Sequence, residues 1–268
     1  MRVAVVPHST LRRRALRRRA LWTGGELLVT VGVFLLLLVA HQLWWTNREA
    51  REGAERKVEA LEREWAGGNG STSRGESDTT AAPAPDTDTD SDREQPQPTR
   101  APQRPATAPP HRSQAYAILS IPRLHLRVPV AEGIGQRGVL DKGYAGHYPH
   151  TQQPGRAGNF ALAGHRNTHG EPFRYINRLR PEDTIEVETK AATYTYAVDQ
   201  TLPQTSAQDS GVIAPVPRSG ARPSYGYQDP GYYITLTTCT PEYTSKYRLV
   251  VWGKLVSMRP RYGPGPGR

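Results

Sequence analysis

The chain has 268 residues, a formal net charge of +10 and one cysteine. A single cysteine excludes an internal disulfide, so any covalent role of this residue involves another molecule. Strong basicity is one signature of nucleic-acid binding, but the arginines are neither interleaved with aromatic residues nor arranged on a recognition helix. We therefore expect these charges to face an anionic membrane or cell envelope, and we expect no nucleic acid.

The N-terminus is predicted to be a basic tail followed by a membrane anchor. Residues 1–22 carry seven arginines and no acidic residue. The apolar run Leu27–Ala40 and its leucine and tryptophan flanks supply about 20 residues, enough to cross a bilayer. The positive charge before the run predicts a cytoplasmic N-terminus, and everything after Trp45 is then outside. A cleaved signal peptide is the alternative, but no convincing small-residue cleavage site follows the run.

A densely charged segment, residues 46–66, follows the anchor and is predicted to be a helical stalk. Its apolar residues recur at three- and four-residue spacing, which predicts one thin apolar stripe on a helix that leaves the membrane. The stripe comprises Ala50, Ala54, Val58, Leu61 and Trp65. Weak pairing with a second copy is one use of such a stripe, but we expect a solvated stalk.

Residues 67–113 are rich in Gly, Ser, Thr, Pro and Asp. Such a composition buries too little apolar surface to order the chain, so we predict a disordered linker. As a flexible coil it spans on the order of 40 Å, enough to act as a tether that holds a domain away from the membrane.

The C-terminal part is predicted to be one folded, mainly β domain. Short runs of alternating apolar and polar residues predict about eight strands with one or two short helices, which indicates a closed antiparallel barrel. A short helix is expected over residues 172–179, and residues 199–231 are expected to form one long loop. The predicted segments of the whole chain are a basic cytoplasmic tail (1–22), a transmembrane anchor (23–45), a charged helical stalk (46–66), a disordered linker (67–113), a folded domain (114–258) and a disordered tail (259–268).

The one cysteine stands where a strand pattern ends. Ile234, Leu236 and Thr238 alternate with threonines in a period-two pattern, Cys239 follows, and Pro241 stops the extended run. The polar neighbours favour a thiol exposed at a strand end. A buried structural cysteine is the common alternative.

Two other reactive side chains also stand at strand ends. Arg248 directly precedes a second apolar run, and His165 directly follows another one. A nearby imidazolium or guanidinium favours the thiolate, which is the attacking species. Histidine can protonate a leaving amine, and arginine can hold an oxyanion. Together with Cys239, these groups suffice for acyl transfer through a thioester.

A zinc site is a competing interpretation, since four histidines form two closely spaced pairs. Pro149 and Gly170 argue against the helix that would bring either pair together, so we expect no metal. No acidic cluster clearly indicates a calcium site, and no cofactor is expected. The four histidines are His147, His150, His165 and His169.

These motifs resemble those of a known family. The sequence Thr-Leu-Thr-Thr-Cys-Thr-Pro around Cys239, with Arg248 nine residues later and Leu-Ala-Gly-His-Arg around His165, resembles a sortase. Its longer form, Thr-Leu-Thr-Thr-Cys-Thr-Pro-x-Tyr-Thr-Ser-x-x-Arg-Leu, is similar to the class E sortases of actinobacteria. The resemblance runs from about Tyr116 to Val256 and includes the Gly-His-Tyr-Pro segment that ends at Pro149.

The resemblance implies an eight-stranded sortase-type β-barrel and a membrane-anchored cysteine transpeptidase. Cys239 would attack the Thr–Gly bond of a C-terminal sorting signal on a secreted protein. The acyl group would then pass to an amine of a cell-wall precursor resembling lipid II. His165 would be the general acid and base, and Arg248 would position the substrate and stabilise the oxyanion.

The resemblance also implies a signal of the form Leu-Ala-x-Thr-Gly (LAxTG-like). The tyrosine of the Gly-His-Tyr-Pro segment, here Tyr148, is linked to that preference, with Tyr144 as a nearby alternative. Thr238 and the backbone N–H of Thr240 are candidate substrate or oxyanion contacts by position. The loop 199–231 would form a wall of the substrate groove.

Two other functions stay open on the sequence alone. An envelope-tethered cysteine peptidase would use the same groups and differ only in transferring the acyl group to water. A non-enzymatic envelope-binding β-barrel would bury its cysteine. An L,D-transpeptidase is set aside because its Ser-His-Gly-Cys pattern is absent from the sequence.

Overall fold

The computed structural model of the protein describes residues 8–67 and 110–261. It comprises a long N-terminal helix and eight strands that close into a barrel. The helix is α1 (His8–Gly67), and the strands are β1 (Ala115–Ile121), β2 (Leu126–Glu132), β3 (Ala145–His147), β4 (Gly158–Ala163), β5 (Thr184–Thr189), β6 (Ala192–Ser206), β7 (Tyr232–Thr240) and β8 (Tyr247–Pro260). Short 3₁₀ helices lie at Pro122–Leu124, Leu140–Lys142, Ile176–Arg178 and Ser210–Ile213.

The strand order around the barrel is β1-β2-β3-β4-β7-β8-β6-β5, and β5 pairs with β1 to close it. The prediction of a mainly β, eight-stranded barrel is confirmed. We expected antiparallel pairing throughout the barrel. That expectation is wrong, because β2–β3 and β4–β7 are parallel pairs. The parallel β4–β7 pair carries the residues before His165 alongside those before Cys239, which are two of the candidate catalytic residues.

The barrel interior is filled by one face of each long strand. Because side chains alternate between the two faces of a strand, Ile234 and Leu236 of β7 point into the main apolar core. There they pack with Leu249 and Val251 of β8. The opposite face of these two strands carries Cys239 and Arg248, so both side chains lie on the outside of the barrel wall.

Three predicted element boundaries also differ from the structure. The loop expected over residues 199–231 starts only after Ser206, because β6 continues and pairs with β8 as far as Tyr247. Pro203 lies at a register shift, where its missing N–H costs no ladder hydrogen bond. The helix expected over 172–179 is only the 3₁₀ turn Ile176–Arg178. Strand β8 continues to Pro260, two residues into the expected disordered tail.

Helix α1 contains the predicted membrane anchor. From Trp22 onward it is long and apolar enough to cross a membrane, and its apolar window is not buried inside the protein. The expected linker falls outside the described residues except for Gly67 and residues 110–113, and the end of the expected tail, 262–268, falls outside them too.

The stalk of α1, residues 46–66, packs against the barrel. All five residues of its apolar stripe are buried, among them Leu61, which is 2% exposed. The C-terminal half of the stripe contacts the side chains of β1 and β2 that face away from the barrel interior, including Ile118 and Ala131. The prediction of a solvated stripe is therefore wrong, because the barrel itself supplies the apolar partner that the local sequence does not show.

Candidate active site

The β7–β8 pair brings Cys239 and Arg248 together. They are direct register partners in the antiparallel ladder, and side chains at such positions project from the same face with Cβ atoms about 5 Å apart. The thiol is free and half-buried, and Arg248 is half-buried as well. The guanidinium Nη1 donates hydrogen bonds to the carbonyl oxygens of Ser245 (2.9 Å) and Tyr247 (3.0 Å), which keeps the side chain at this end of the barrel.

The segment between β6 and β7 covers the neighbouring part of the same face. Val212 and Tyr227 pack against Tyr233 and Trp252 in a second apolar cluster. The indole N–H of Trp252 donates to the carbonyl of Val212 (3.0 Å). This part of the segment 207–231 therefore lies on the outer face of β7 and β8, the face that carries Cys239. Its role as a wall of the substrate groove, which the family resemblance implies, stays a prediction.

His165 is held at the same end by the residues on both sides of it. The N–H of Gly164 donates to the carbonyl of Thr237 (3.1 Å), and the Thr238 hydroxyl donates to the carbonyl of Gly164 (2.8 Å). On the other side, Arg166 Nη1 donates to the carbonyl of Cys239 (3.3 Å). Gly164 is required here, because a Cβ at this position would lie 2.7 Å from the Phe173 ring.

Asp141 is a site residue that the sequence analysis missed. Its Oδ1 lies 2.8 Å from Nε2 of His165, which leaves the other ring nitrogen, Nδ1, for a reacting group. A carboxylate in this position fixes the orientation of an imidazole and stabilises its protonated form. Asp141 lies in the turn Leu140–Lys142, 24 residues before His165, and nothing in its local sequence indicates this contact.

A third group joins this pair. The His169 ring stacks on His165 with centroids 5.3 Å apart, and its Nδ1 lies 3.6 Å from Asp141 Oδ1. Among the described residues, Asp141, His165 and His169 offer three potential metal ligands within 4.8 Å of one another. His147 and His150 do not belong to this cluster, and His147 is instead bonded to Glu132 (2.7 Å).

The two candidate tyrosines lie in different surroundings. The hydroxyl of Tyr148 is 3.0 Å from Oγ1 of Thr237, which shares the outer face of β7 with Cys239. Tyr144 packs instead against the stalk and barrel cluster, where burial raises the pKa of its phenol. The geometry thus brings Tyr148, and not Tyr144, to the face that carries the thiol.

The two candidate threonines have their hydroxyls engaged within the protein. Thr238 is 3% exposed and its hydroxyl donates to Gly164. The hydroxyl of Thr240 accepts a hydrogen bond from Arg166 (2.8 Å). Both side chains therefore hold the strand ends together. A substrate contact through the backbone N–H of Thr240 stays a prediction.

Comparison with known proteins shows which family this chain resembles in sequence. The family model for the sortase domain matches residues 119–256. Sortase SrtE1 of Streptomyces coelicolor is 44% identical over 242 residues, which cover 88% of this chain and 57% of SrtE1. This chain therefore spans little more than half the length of that relative. Sortase SrtE2 of the same organism is 33% identical over 244 residues, which cover 87% of this chain and 80% of SrtE2.

Solved structures show the same similarity. The crystal structure of sortase E1 from Streptomyces coelicolor, with a tripeptide in the active site, is 54% identical with a TM-score of 0.52, and covers 56% of this chain and 92% of that chain. The SrtA sortase from Actinomyces oris is 33% identical with a TM-score of 0.50, and covers 62% of this chain and 94% of that chain.

Proposed function

The chain belongs to the sortase family, and from this premise we propose that it is a membrane-anchored class E cysteine transpeptidase. It cleaves a sorting signal between Thr and Gly and transfers the acyl group to an amine of a cell-wall precursor. The observation that carries the proposal is the direct pairing of Cys239 with Arg248 on a half-exposed face. The His165–Asp141 pair lies at the same end of the barrel.

The proposed reaction has two halves. The thiolate of Cys239 attacks the threonine carbonyl carbon, and Arg248 holds the oxygen on which negative charge develops. The C–N bond then breaks while protonated His165 gives its proton to the leaving glycine nitrogen, which leaves a thioester on Cys239. In the second half the acceptor amine attacks the thioester and gives a proton to His165. The new amide forms as the thiolate departs.

Asp141 supports both proton transfers. Its carboxylate lies on Nε2 of His165, so the imidazolium that donates to the glycine nitrogen is stabilised by a charge 2.8 Å away. A fixed ring orientation directs the opposite nitrogen, Nδ1, toward the reacting atoms. Asp141 therefore acts through His165 and contacts no substrate atom in this scheme.

The proposed substrates are secreted proteins with a C-terminal LAxTG-like signal. The related sortase E1 structure holds a tripeptide in its active site, which supports a peptide site in the same part of this chain. Tyr148 supports the choice of signal, because its hydroxyl reaches the outer face of β7 two residues before Cys239. The acceptor is an amine of a lipid II-like precursor.

The proposed location is the cell membrane, with one span, a cytoplasmic N-terminus and an extracellular catalytic domain. The arginines before the anchor support this orientation. The stalk meets the barrel at Asn47, two residues after the last interfacial tryptophan, and it does so beside residues 170 and 171. The His165 end of the barrel would therefore lie near the outer membrane surface, and not at the distance that the sequence analysis expected from a tether over residues 67–113. A lipid-linked amine and a membrane-retained sorting signal are found at that surface.

The proposal is tested with the full chain in lipid nanodiscs and a Leu-Ala-x-Thr-Gly peptide. Intact-mass analysis should show a peptide thioester on Cys239, and added glycine-type amine should convert it to the ligated product. Cys239→Ala should show neither species. Hydrolysis that no amine diverts would make the protein a peptidase. If the thiol is neither acylated by the peptide nor alkylated by iodoacetamide, the remaining alternative is a non-enzymatic envelope-binding β-barrel.

The choice of signal is tested with a matched pair of tyrosine variants. Tyr148→Phe should lower the preference for Leu-Ala-x-Thr-Gly over Leu-Pro-x-Thr-Gly by about tenfold in kcat/KM, the amount expected for one lost polar contact. Tyr144→Phe should leave the preference unchanged, because that ring packs toward the stalk. Equal effects of the two changes would remove Tyr148 from the substrate site.

A further inference from the structure

The membrane-proximal end of the stalk contacts the loop that follows His165. Asn47 Nδ2 donates to Glu171 Oε1 (3.0 Å), and Asn47 Oδ1 accepts from the N–H of Gly170 (3.3 Å). Arg51 Nε donates to the carbonyl of Gly170 (3.1 Å), and its Nη2 donates to Glu171 Oε2 (3.1 Å). Two side chains of α1 thus make four hydrogen bonds with two consecutive loop residues.

The contacted stretch has an unfavourable backbone conformation. His169, Gly170 and Glu171 are consecutive residues with φ of 52°, 82° and 53°. This left-handed region is costly for residues with a side chain, and it persists only where the surroundings hold it. Asn47 and Arg51 bind both backbone polar groups of the central residue, Gly170. The stalk therefore supplies contacts that this conformation requires.

The same stretch buries a carboxylate. The Glu171 side chain is 5% exposed, and a charge in such a place needs charged or hydrogen-bonding partners. Its partners are Arg51 and Asn47 from the stalk and Arg174 from the loop itself (2.7 Å). The hydrogen bond to Glu171 in turn raises the pKa of Arg174. Removal of the stalk partners would leave one of the three contacts.

The loop closes directly onto His165. The N–H of Phe173 donates to the carbonyl of His165 (3.0 Å), and the His169 ring stacks on the His165 ring. The loop therefore borders His165 both at its backbone and at its ring. A change in the conformation of residues 169–171 would move groups that touch the imidazole.

We propose that Asn47 and Arg51 are positioning residues, and that the stalk is a built-in part of the active site that orders the loop around His165. This inference rests on the proposed function, since it assigns His165 a role in catalysis. The stalk residues contact neither the thiol nor a reacting atom. They act by holding the loop that contacts the backbone and the ring of His165.

The experiment compares full-length variants in nanodiscs. In Asn47→Ala/Arg51→Ala, amide exchange in peptides covering residues 166–174 should accelerate about tenfold, because the loop opens locally. The kcat for a sorting-signal peptide should fall about tenfold, with KM within about twofold, because misorientation affects the chemical step and not peptide binding. The apolar stripe is untouched by these changes, so the stalk stays docked.

Two further variants make the result specific. Arg48→Ala removes the same charge one turn earlier, but Arg48 bonds with Glu52 of its own helix, so exchange and kcat should match the wild type. Arg51→Lys keeps one donor for Glu171 and should recover part of kcat. Loop exchange that stays at the wild-type rate in the double variant would overturn the proposal, as would faster exchange with unchanged kcat. A wild-type protein that cleaves no sorting peptide would refute the proposed function, and exchange would still decide whether the stalk orders the loop.

Discussion

The strand pair that carries Cys239 and Arg248 and the contact between stalk and barrel use their polar residues differently. At the strand pair, within the described part of the chain, the hydrogen bonds of Arg248 run from Nη1 to two carbonyls next to it, and no carboxylate pairs with it. At the stalk, Asn47 and Arg51 are each bonded to Glu171. A cation without a carboxylate beside a half-exposed thiol suits transient charge, whereas a cation paired with a buried carboxylate stabilises one conformation.

The largest expected effect lies in the first region. Cys239→Ser should lower transpeptidation by more than about 10⁴-fold, because the hydroxyl is a far weaker nucleophile and no other thiol exists in the chain. The melting temperature should stay within about 2 °C, since the side chain is half-buried and close in size. Product formation by mass spectrometry and thermal unfolding by circular dichroism measure the two quantities. A large loss of stability would mean that the main role of Cys239 is to stabilise the fold.

The second effect belongs to the stalk. Leu61→Ala should destabilise the protein by about 2–3 kcal/mol, because it leaves a cavity between α1 and the barrel. That corresponds to a fall of about 5–10 °C in melting temperature for a domain of this size. Because Leu61 lies about 15 Å along the helix from Arg51, kcat at 25 °C should change less than about twofold. Arg63→Ala, on the exposed side of the helix, is the control and should change little. Equal stability of the two variants would mean that the stalk does not pack against the barrel in solution.

The same comparison separates what the sequence predicts from what it does not. Cys239, His165 and Arg248 can be nominated as candidates from the local sequence, because each has a side chain suited to acyl transfer and stands at the end of an apolar run. The docking of the stalk depends on β1, a strand distant from it in the sequence. The sequence of β1 nevertheless contains a signal that its outward face is covered. Ala117, Ile118 and Leu119 are consecutive and all fully buried, and such a run in a strand indicates that both faces are covered.

Other features have no local signal. Strand β3 is only three residues long, too short for a period-two pattern to emerge. The extension of β6 beyond residue 198 was missed because Pro203 indicates a break, whereas the register shift there accommodates it. Asp141 is paired with His165 only through the closed barrel. The missed elements are thus those whose conformation is decided by partners distant in the sequence.

The third effect tests whether Asp141 belongs with the reactive residues. Asp141→Asn keeps an oxygen near His165 but removes the charge that stabilises the imidazolium, so kcat/KM should fall about tenfold, or about 1.4 kcal/mol of transition-state stabilisation. The melting temperature should change little, since the carboxylate is partly exposed. Asp199→Asn, which removes a carboxylate paired with Lys254, should leave kcat/KM as in the wild type. An unaffected kcat/KM in Asp141→Asn would assign Asp141 to structure alone.

The smallest effect concerns Asp209, a fully bonded carboxylate near the reactive face. Partial burial opposes its charge, but hydrogen bonds from Ser219, Thr205 and the backbone of Gly220 outweigh this and lower the pKa of Asp209. Because the folded-state pKa is below the unfolded one, the stabilisation is present above about pH 4 and is lost as the pH falls through the folded-state value.

Asp209→Asn should therefore destabilise the protein by about 1–2 kcal/mol at pH 7, the amount expected for hydrogen bonds to a charged group, and by progressively less in acid. Melting temperatures of variant and wild type at pH 7 and pH 3 measure this convergence, with the exposed Asp229→Asn as the control, which should change the melting temperature little at pH 7. If activity at pH 7 fell far more than stability, Asp209 would act at the site, and the contrast between a fully bonded carboxylate that stabilises the fold and an Arg248 without a carboxylate partner among the residues that the structure describes would fail on the face that carries Cys239.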